Sequence, residues 1–374
     1  MSCVSERKFF ECGVRNTFLF ESKMINTVLD YVSGKTSYPH SYKIYIANPY
    51  ARVMVVFSLG GLMGLQYVIA YILNPMLFFI SSLYICIFYV CFFRSLQVSH
   101  MHYCIHRSFF ENFKMNVVYA SFISGFVICQ NYNDYKREHF RHHSKKYFQT
   151  EKDADADLLI NIMFIPGMDT SFYLKLLYTT IFSPLFHIRF VFIRFYGMIK
   201  NYNLYVAIGN FSIFSVYYFL IYSNFYGIAI SVLFSQLVFY NISSLLQFLT
   251  EHAWFSRRKS LRDVQEYSYG CWARFCGARL EKTPVGWARW IFYMLCVAVP
   301  YRFGVVMGDL PVHDWHHLCR YMGGSEKKWM SSLYDREKAI EENDLLGLSS
   351  REVWGIKNAL RMSFEGLSRR SLKN

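Results

Sequence analysis

Charge is scarce in this sequence: Asp, Glu, Lys and Arg make up only 18% of its 374 residues, while 53% are hydrophobic and 20% aromatic. That balance excludes an ordinary soluble domain and points to burial in lipid. The ten cysteines include no CxxC pair, which leaves neither a zinc ribbon nor a secreted disulfide framework; they read as reduced thiols facing the cytosol. The amino terminus, MSCVSERKFFECGV, has no apolar stretch of the kind a signal peptide needs and carries Glu6, Lys8 and Glu11 there. Membrane targeting is therefore expected from internal spans. No basic run interleaved with polar readout residues is present either, so the net charge of +14 speaks for an anionic membrane surface and not for nucleic acid.

What the chain does have is long uncharged runs. Val53 to Leu73 and Met76 to Phe93 carry no charge and are parted by Asn74-Pro75; Leu204 to Tyr222 and Ile228 to Leu249 repeat the plan around Ser223-Asn224-Phe225-Tyr226. About 20 residues suffice to cross the hydrocarbon core as a helix, so each run predicts a span and each pair a hairpin. Neither hairpin turn holds Lys or Arg, whereas Arg94, Arg107, Lys114, Lys136, Arg137, Arg141, Lys145 and Lys146 lie between the hairpins. The positive-inside tendency makes that side, and both termini, cytoplasmic. Val117 to Cys129 and Trp290 to Pro300 are too short for spans and read as re-entrant or interfacial. Phe186 to Lys200, with Arg189, Arg194 and Lys200 among aromatics, reads as an interfacial helix. Beyond Arg320 the composition turns soluble, and Ser349-Ser350-Arg351-Glu352 has the form of a capping box opening a last helix. The expected organisation is a cytoplasmic segment over 1–52, a membrane domain over 53–320 and a soluble tail over 321–374. The expected fold is all-α and polytopic: four transmembrane helices in two hairpins, with a cytoplasmic helical cap.

Nine of the twelve histidines fall into four groups on that one side. His102 and His106 form HYCIH; His139, His142 and His143 form HFRHH; His252 follows Glu251 at the end of the fourth run; His313, His316 and His317 form HDWHH. Residues three and four apart share a helix face, so each box offers at least two imidazoles to one point. Asn133 and Asp134 are placed to open a helix for the second box, and Asp309 with Pro311 for the third. A structural zinc needs four ligands; nine candidates are enough for two metal ions. Imidazole suits zinc, copper, iron and nickel alike, so ligand type alone does not choose among them. An all-nitrogen site beside a membrane is most useful where an iron-oxygen oxidant must attack an inert C–H bond of a lipid tail. Carboxylates are expected behind the imidazoles, accepting their other ring N–H. Asp153, Asp155 and Asp157 in EKDADAD are the leading candidates, with Glu251, Glu138 and Asp314 behind them. His40, His100 and His187 stand outside the groups.

The three boxes, in this order and with these hairpins, resemble the HxxxH, HxxHH and HxxHH series of the membrane fatty acid desaturases and their relatives, the membrane alkane hydroxylases. The similarity runs from about Val53 to Arg320. The 33 positions from His106 to His139 (139 minus 106) resemble the desaturase spacing, where sterol desaturase-like relatives have a shorter gap. Asp155-Ala-Asp157 looks like the acidic pair that follows the second box in desaturases. Glu251-His252 is similar to the Glu-His of the alkane hydroxylases' extra motif, although the glycine that normally follows is absent; desaturases also have a lone ligand histidine in this region.

The resemblance implies a di-iron site made by His102, His106, His139, His142, His143, His252, His313, His316 and His317, with dioxygen as co-substrate. It implies a fatty acyl lipid as substrate and membrane lipid as surroundings. No HPGG haem motif occurs, so the electrons are expected from a separate ferredoxin, rubredoxin or cytochrome b5-like protein. Desaturation is the leading expectation, hydroxylation of a fatty acyl or alkyl chain the next, and a non-catalytic metal-binding scaffold the third.

Overall fold

The structure is a computed structural model that describes residues 7–256 and 263–370; Glu6 and the rest of the first six residues lie outside them. It is mostly helical, 70% helix against 3% strand. Two compact units arise, one from Ile46–Arg137 and Ser183–Ser244, the other from the residues up to Tyr45, Glu138–Phe182 and those from Leu245 onward.

The first unit holds the apolar runs. Asn48 accepts from the backbone N–H of Tyr50 and Ala51 and Pro49 takes the first turn, which starts a helix over Pro49–Leu73. Tyr67 alone of its residues is buried although nearly all are apolar, an arrangement stable in lipid and not in water. Asn74 is extended and accepts from Met76 N–H at 2.7 Å, so it ends one helix and caps the next, Pro75–Ser95. The second hairpin follows the same logic: Asn203 caps Leu204–Tyr222, and Asn224 at φ 60° turns the chain into Tyr226–Glu251. Among the described residues three helices, Pro49–Leu73, Leu204–Tyr222 and Tyr226–Glu251, are long and apolar enough to cross a membrane, and two bent helix pairs would raise the number to five.

Small residues set the packing of this unit. A Cβ built on Gly125 would lie 2.1 Å from the Val206 carbonyl oxygen, and one on Gly209 would lie 2.2 Å from that of Phe122. Helices Phe113–Val127 and Leu204–Tyr222 therefore meet backbone to backbone, as membrane helices do when no hydrophobic driving force exists between them. The Pro184–Ile199 helix only half matches its interfacial reading. Arg189 and Lys200 face outward, but Arg194 is buried and donates to the carbonyls of Val127 (2.8 Å), Ile128 (2.9 Å) and Gln236 (2.8 Å). These carbonyls belong to a helix end and to the wide turn at Ser235–Phe239; a guanidinium supplies several donors at once.

The second unit contains two strands, Ala273–Phe275 and Glu352–Trp354, paired in parallel with Arg274 opposite Val353. The fold is thus not purely helical; three-residue strands carry no periodicity to read. This pairing also corrects the capping-box expectation: the last helix starts at Ile356, after Gly355 at φ 77°. Glu352 is drawn away from any capping role by Lys35 and by Arg336, whose Nη1 lies 3.2 Å from its carboxylate. The segment after Arg320 is built into this unit, with Val353, Ala359 and Met362 sharing a core with Phe9, Ala253 and Trp272.

Candidate metal centre

The second box lies on the helix Tyr132–His142. Its start is capped by Asn131, whose side-chain oxygen accepts from the N–H of Asn133 and Asp134, both at 3.0 Å; Asn133 and Asp134 are not themselves the cap. His139, His142 and His143 turn inward and are buried, while Phe140 and Arg141 between them are exposed, as the HxxHH spacing requires. The third box forms the helix His313–Leu318, entered through a turn at Leu310–Val312 that contains Pro311; Asp309 makes no side-chain cap there. His252 follows the Tyr226–Glu251 helix and is held by an antiparallel bridge to Cys271. All seven of these histidines belong to the second unit.

They form two groups. His142, His252, His313 and His317 each bring a ring nitrogen within 4.8 Å of the others, and His139, His143 and His316 do the same among themselves. Nε2 of His313 and His317 are 3.1 Å apart, as are Nε2 of His143 and His316. The His143 and His317 rings stack at 4.1 Å, which sets the two groups side by side. In the other unit His102 and His106 lie one helical turn apart, with rings 5.1 Å between centroids, and Nδ1 of His102 faces the Val98 carbonyl at 3.0 Å.

The outward ring nitrogens are fixed. His142 Nδ1 is 2.9 Å from Asp153, His252 Nδ1 is 3.1 Å from the Gly270 carbonyl, and His317 Nδ1 is 2.6 Å from the Tyr267 hydroxyl. Asp153 and the Gly270 carbonyl can only accept, so each holds a hydrogen on Nδ1 and turns Nε2 toward the group. Nε2 of His142 and of His252 are buried with no hydrogen-bond partner, a costly state for a polar atom unless something is coordinated there. Burial, reinforced by the neighbouring imidazoles, holds His252 and His317 well below the ordinary imidazole range, so both are neutral donors at pH 7. Four imidazoles with shared focus fit a borderline transition metal such as iron or zinc.

The carboxylates divide. Asp153 is fully buried against His142, and Asp155 lies 3.6 Å from the same nitrogen. Glu251 is buried 3.0 Å from Nε2 of His313 and near Arg274. Asp157 is exposed and accepts from Asn161. Asp314 points away from the imidazoles and is gripped by Arg336 at 2.9 Å, with both side chains fully buried. His100 is buried against the Tyr119 hydroxyl at 2.8 Å, His40 is exposed and His187 half-buried.

Tyr267, the Gly270 carbonyl, Arg336 and Phe148, whose ring packs on His142, His252 and His317, escape a sequence reading. Nothing local marks Tyr267 among 30 tyrosines. A hydrophobic residue adjoining a histidine box, as Phe148 does, is the only signal available.

A family model described as fatty acid desaturase matches residues 79–278, 200 of the 374 (278 minus 79, plus one). The match takes in the first two boxes and His252 and ends before the third. No curated protein and no solved structure matches the chain.

Proposed function

Since the chain belongs to the fatty acid desaturase family, an oxidoreductase family of the desaturase and hydroxylase kind, we propose that it is an oxygen-dependent fatty acyl desaturase with a di-iron centre. His142, His252, His313 and His317 hold one iron. His139, His143 and His316 hold the other, with His102 and His106 assigned to it by the family's HxxxH pattern. The observation that carries this reading is the unpartnered, buried Nε2 of His142 and His252 within a group of four imidazoles.

Bound iron would supply the activation of dioxygen and the oxidation of a C–H bond. In the overall reaction an acyl –CH2–CH2– unit, dioxygen, two electrons and two protons give –CH=CH– and two waters. Asp153, Gly270 and Tyr267 hold the outer nitrogens of their histidines, so the rings keep one tautomer and one orientation through turnover. Phe148 and Trp254, packed on the His142 and His252 rings, keep bulk water from the donor atoms. Glu251 and Asp155 complete the carboxylates proposed to support the centre. The electrons come from a separate ferredoxin, rubredoxin or cytochrome b5-like carrier. On the reading of four spans in two hairpins, the boxes lie on the cytoplasmic side, next to the acyl chains of the inner leaflet. Hydroxylation is the second reading, favoured by Glu251-His252 and by the reach of Glu251 to His313.

Lipid profiling of a host expressing the chain tests both. New unsaturated acyl chains that vanish in a His142→Ala variant support desaturation; new hydroxylated chains support the second reading. Unchanged lipids refute both and leave a metal-binding scaffold. Purified protein should carry about two irons per chain, and a lone zinc would count against the centre.

A further inference from the structure

The helix Lys23–Ser33 is turned inside out for a protein in water. At 100° per residue, Met24, Ile25, Val28 and Tyr31 fall on one face and Asn26, Asp30 and Ser33 on the opposite one. The apolar four are 47–65% exposed, and the polar three are buried. The buried face is well satisfied. Asn26 donates to the carbonyls of Phe20 (2.8 Å) and His40 (2.9 Å); Asp30 accepts from Arg15 at 2.8 Å and from Ser37 N–H at 2.9 Å. The orientation is therefore fixed by hydrogen bonds, and the apolar face is left outward.

That face continues in the same unit. Tyr31 packs tilted against Phe303 at 5.9 Å, Arg302 donates to the Tyr31 carbonyl at 2.9 Å, and Phe20 lies 5.9 Å from Trp287. The Pro284–Tyr293 helix and the turn after it then add Val285, Ile291, Phe292 and Leu295, all 46–68% exposed. Exposed cations fringe the surface: Lys23, Lys43, Lys282 and Arg289, against the carboxylates Glu21 and Glu281. Tyr42 and Tyr45 sit beneath the ammonium groups of Lys23 and Lys43, respectively. Apolar side chains, a ring of Tyr and Trp and an excess of cations are what a helix lying in the headgroup region presents.

We propose that Lys23–Ser33 is an in-plane membrane anchor that, with the outward face of Pro284–Tyr293, seats this unit on lipid bearing anionic headgroups. The chain meets its first span, starting at Pro49, only 16 residues after Ser33 (49 minus 33), so the anchor works at the bilayer surface its own span enters. The proposal goes beyond the assigned reaction and rests only on the membrane setting. It needs no metal and stands or falls separately from the di-iron reading.

The test uses the full-length protein with Cys3, Cys12 and Cys296 replaced by serine, spin-labelled at Val28→Cys or at Glu21→Cys. It is reconstituted in nanodiscs of phosphatidylcholine with and without phosphatidylglycerol. The Val28→Cys label should collide more with oxygen than with a water-soluble nickel chelate, and the Glu21→Cys label the reverse. Phosphatidylglycerol should deepen the Val28→Cys label. A nickel-dominated collision ratio at Val28→Cys would place the face in water and overturn the proposal. A label immobilised and shielded from both reagents overturns it too, in favour of a second copy of the chain. Indifference to phosphatidylglycerol overturns the headgroup assignment. Both labelled positions are exposed, so neither variant disturbs the buried polar face.

Discussion

Asp153 offers the sharpest test of the centre. Its carboxylate is fully buried, holds His142 Nδ1 at 2.9 and 3.1 Å, and accepts from the N–H of Gln149 (3.3 Å) and Asp155 (3.1 Å), the last as cap of the helix Ala154–Asn161. Asparagine caps a helix as well as aspartate does, so Asp153→Asn leaves that helix in place. It removes the charge that steadies the imidazole. Loss of such an outer carboxylate costs about 10–100-fold in metal affinity, or about 1.4–2.7 kcal/mol. Asp153→Ala removes the cap as well, about 1 kcal/mol, and strands the His142 N–H, about 1–3 kcal/mol. Thermal melts of the metal-free protein should therefore show Asp153→Asn close to the parent and Asp153→Ala lower. Metal content after titration with a chelator should fall in both. An Asp153→Asn variant that keeps iron with the parent's affinity would refute the reasoning, because His142 would then need no anionic partner.

Arg336→Ala leaves Asp314 buried without its cation, Glu352 keeping Lys35, and should cost about 3–5 kcal/mol in the melt, disordering the third box; an unchanged melting temperature would contradict this. Gly125→Ala drives a Cβ into the Val206 carbonyl and should destabilise by about 1–3 kcal/mol in detergent unfolding, whereas Gly61→Ala meets nothing within 4 Å and should be neutral or stabilising. Burial raises the Glu337 carboxyl, but Arg336 and Lys35 more than offset this and hold it below its ordinary range. A carboxylate depressed on folding adds stability above its unfolded pKa, about 4.3, and loses it as pH falls through the folded value. Glu337→Gln should thus be less stable than the parent at pH 7, with the gap closing in acid; a pH-independent gap would refute the linkage.

Much of the site was legible because it is encoded by spacing. HxxHH puts His139, His142 and His143 on one face whatever surrounds them, and uncharged runs bounded by Asn-Pro dictate helices and a turn wherever the chain sits. The supporting groups were not legible. Tyr267 reaches His317 across 50 positions, Arg336 reaches Asp314 across 22, and Glu352 leaves its capping-box role for Lys35 across 317. Arg194 reads as an interfacial charge until the carbonyl ends of other helices turn up beside it.

Local pattern thus determined which residues form helices, which of them carry donor nitrogens and which segments belong in lipid, since each is a property of neighbours three or four positions apart. Tertiary structure decided which carboxylate stands behind which imidazole, which charges are buried and which way Lys23–Ser33 turns. Those outcomes follow from hydrogen bonds between distant segments, whose strength depends on a low-dielectric interior that exists only once the chain has folded.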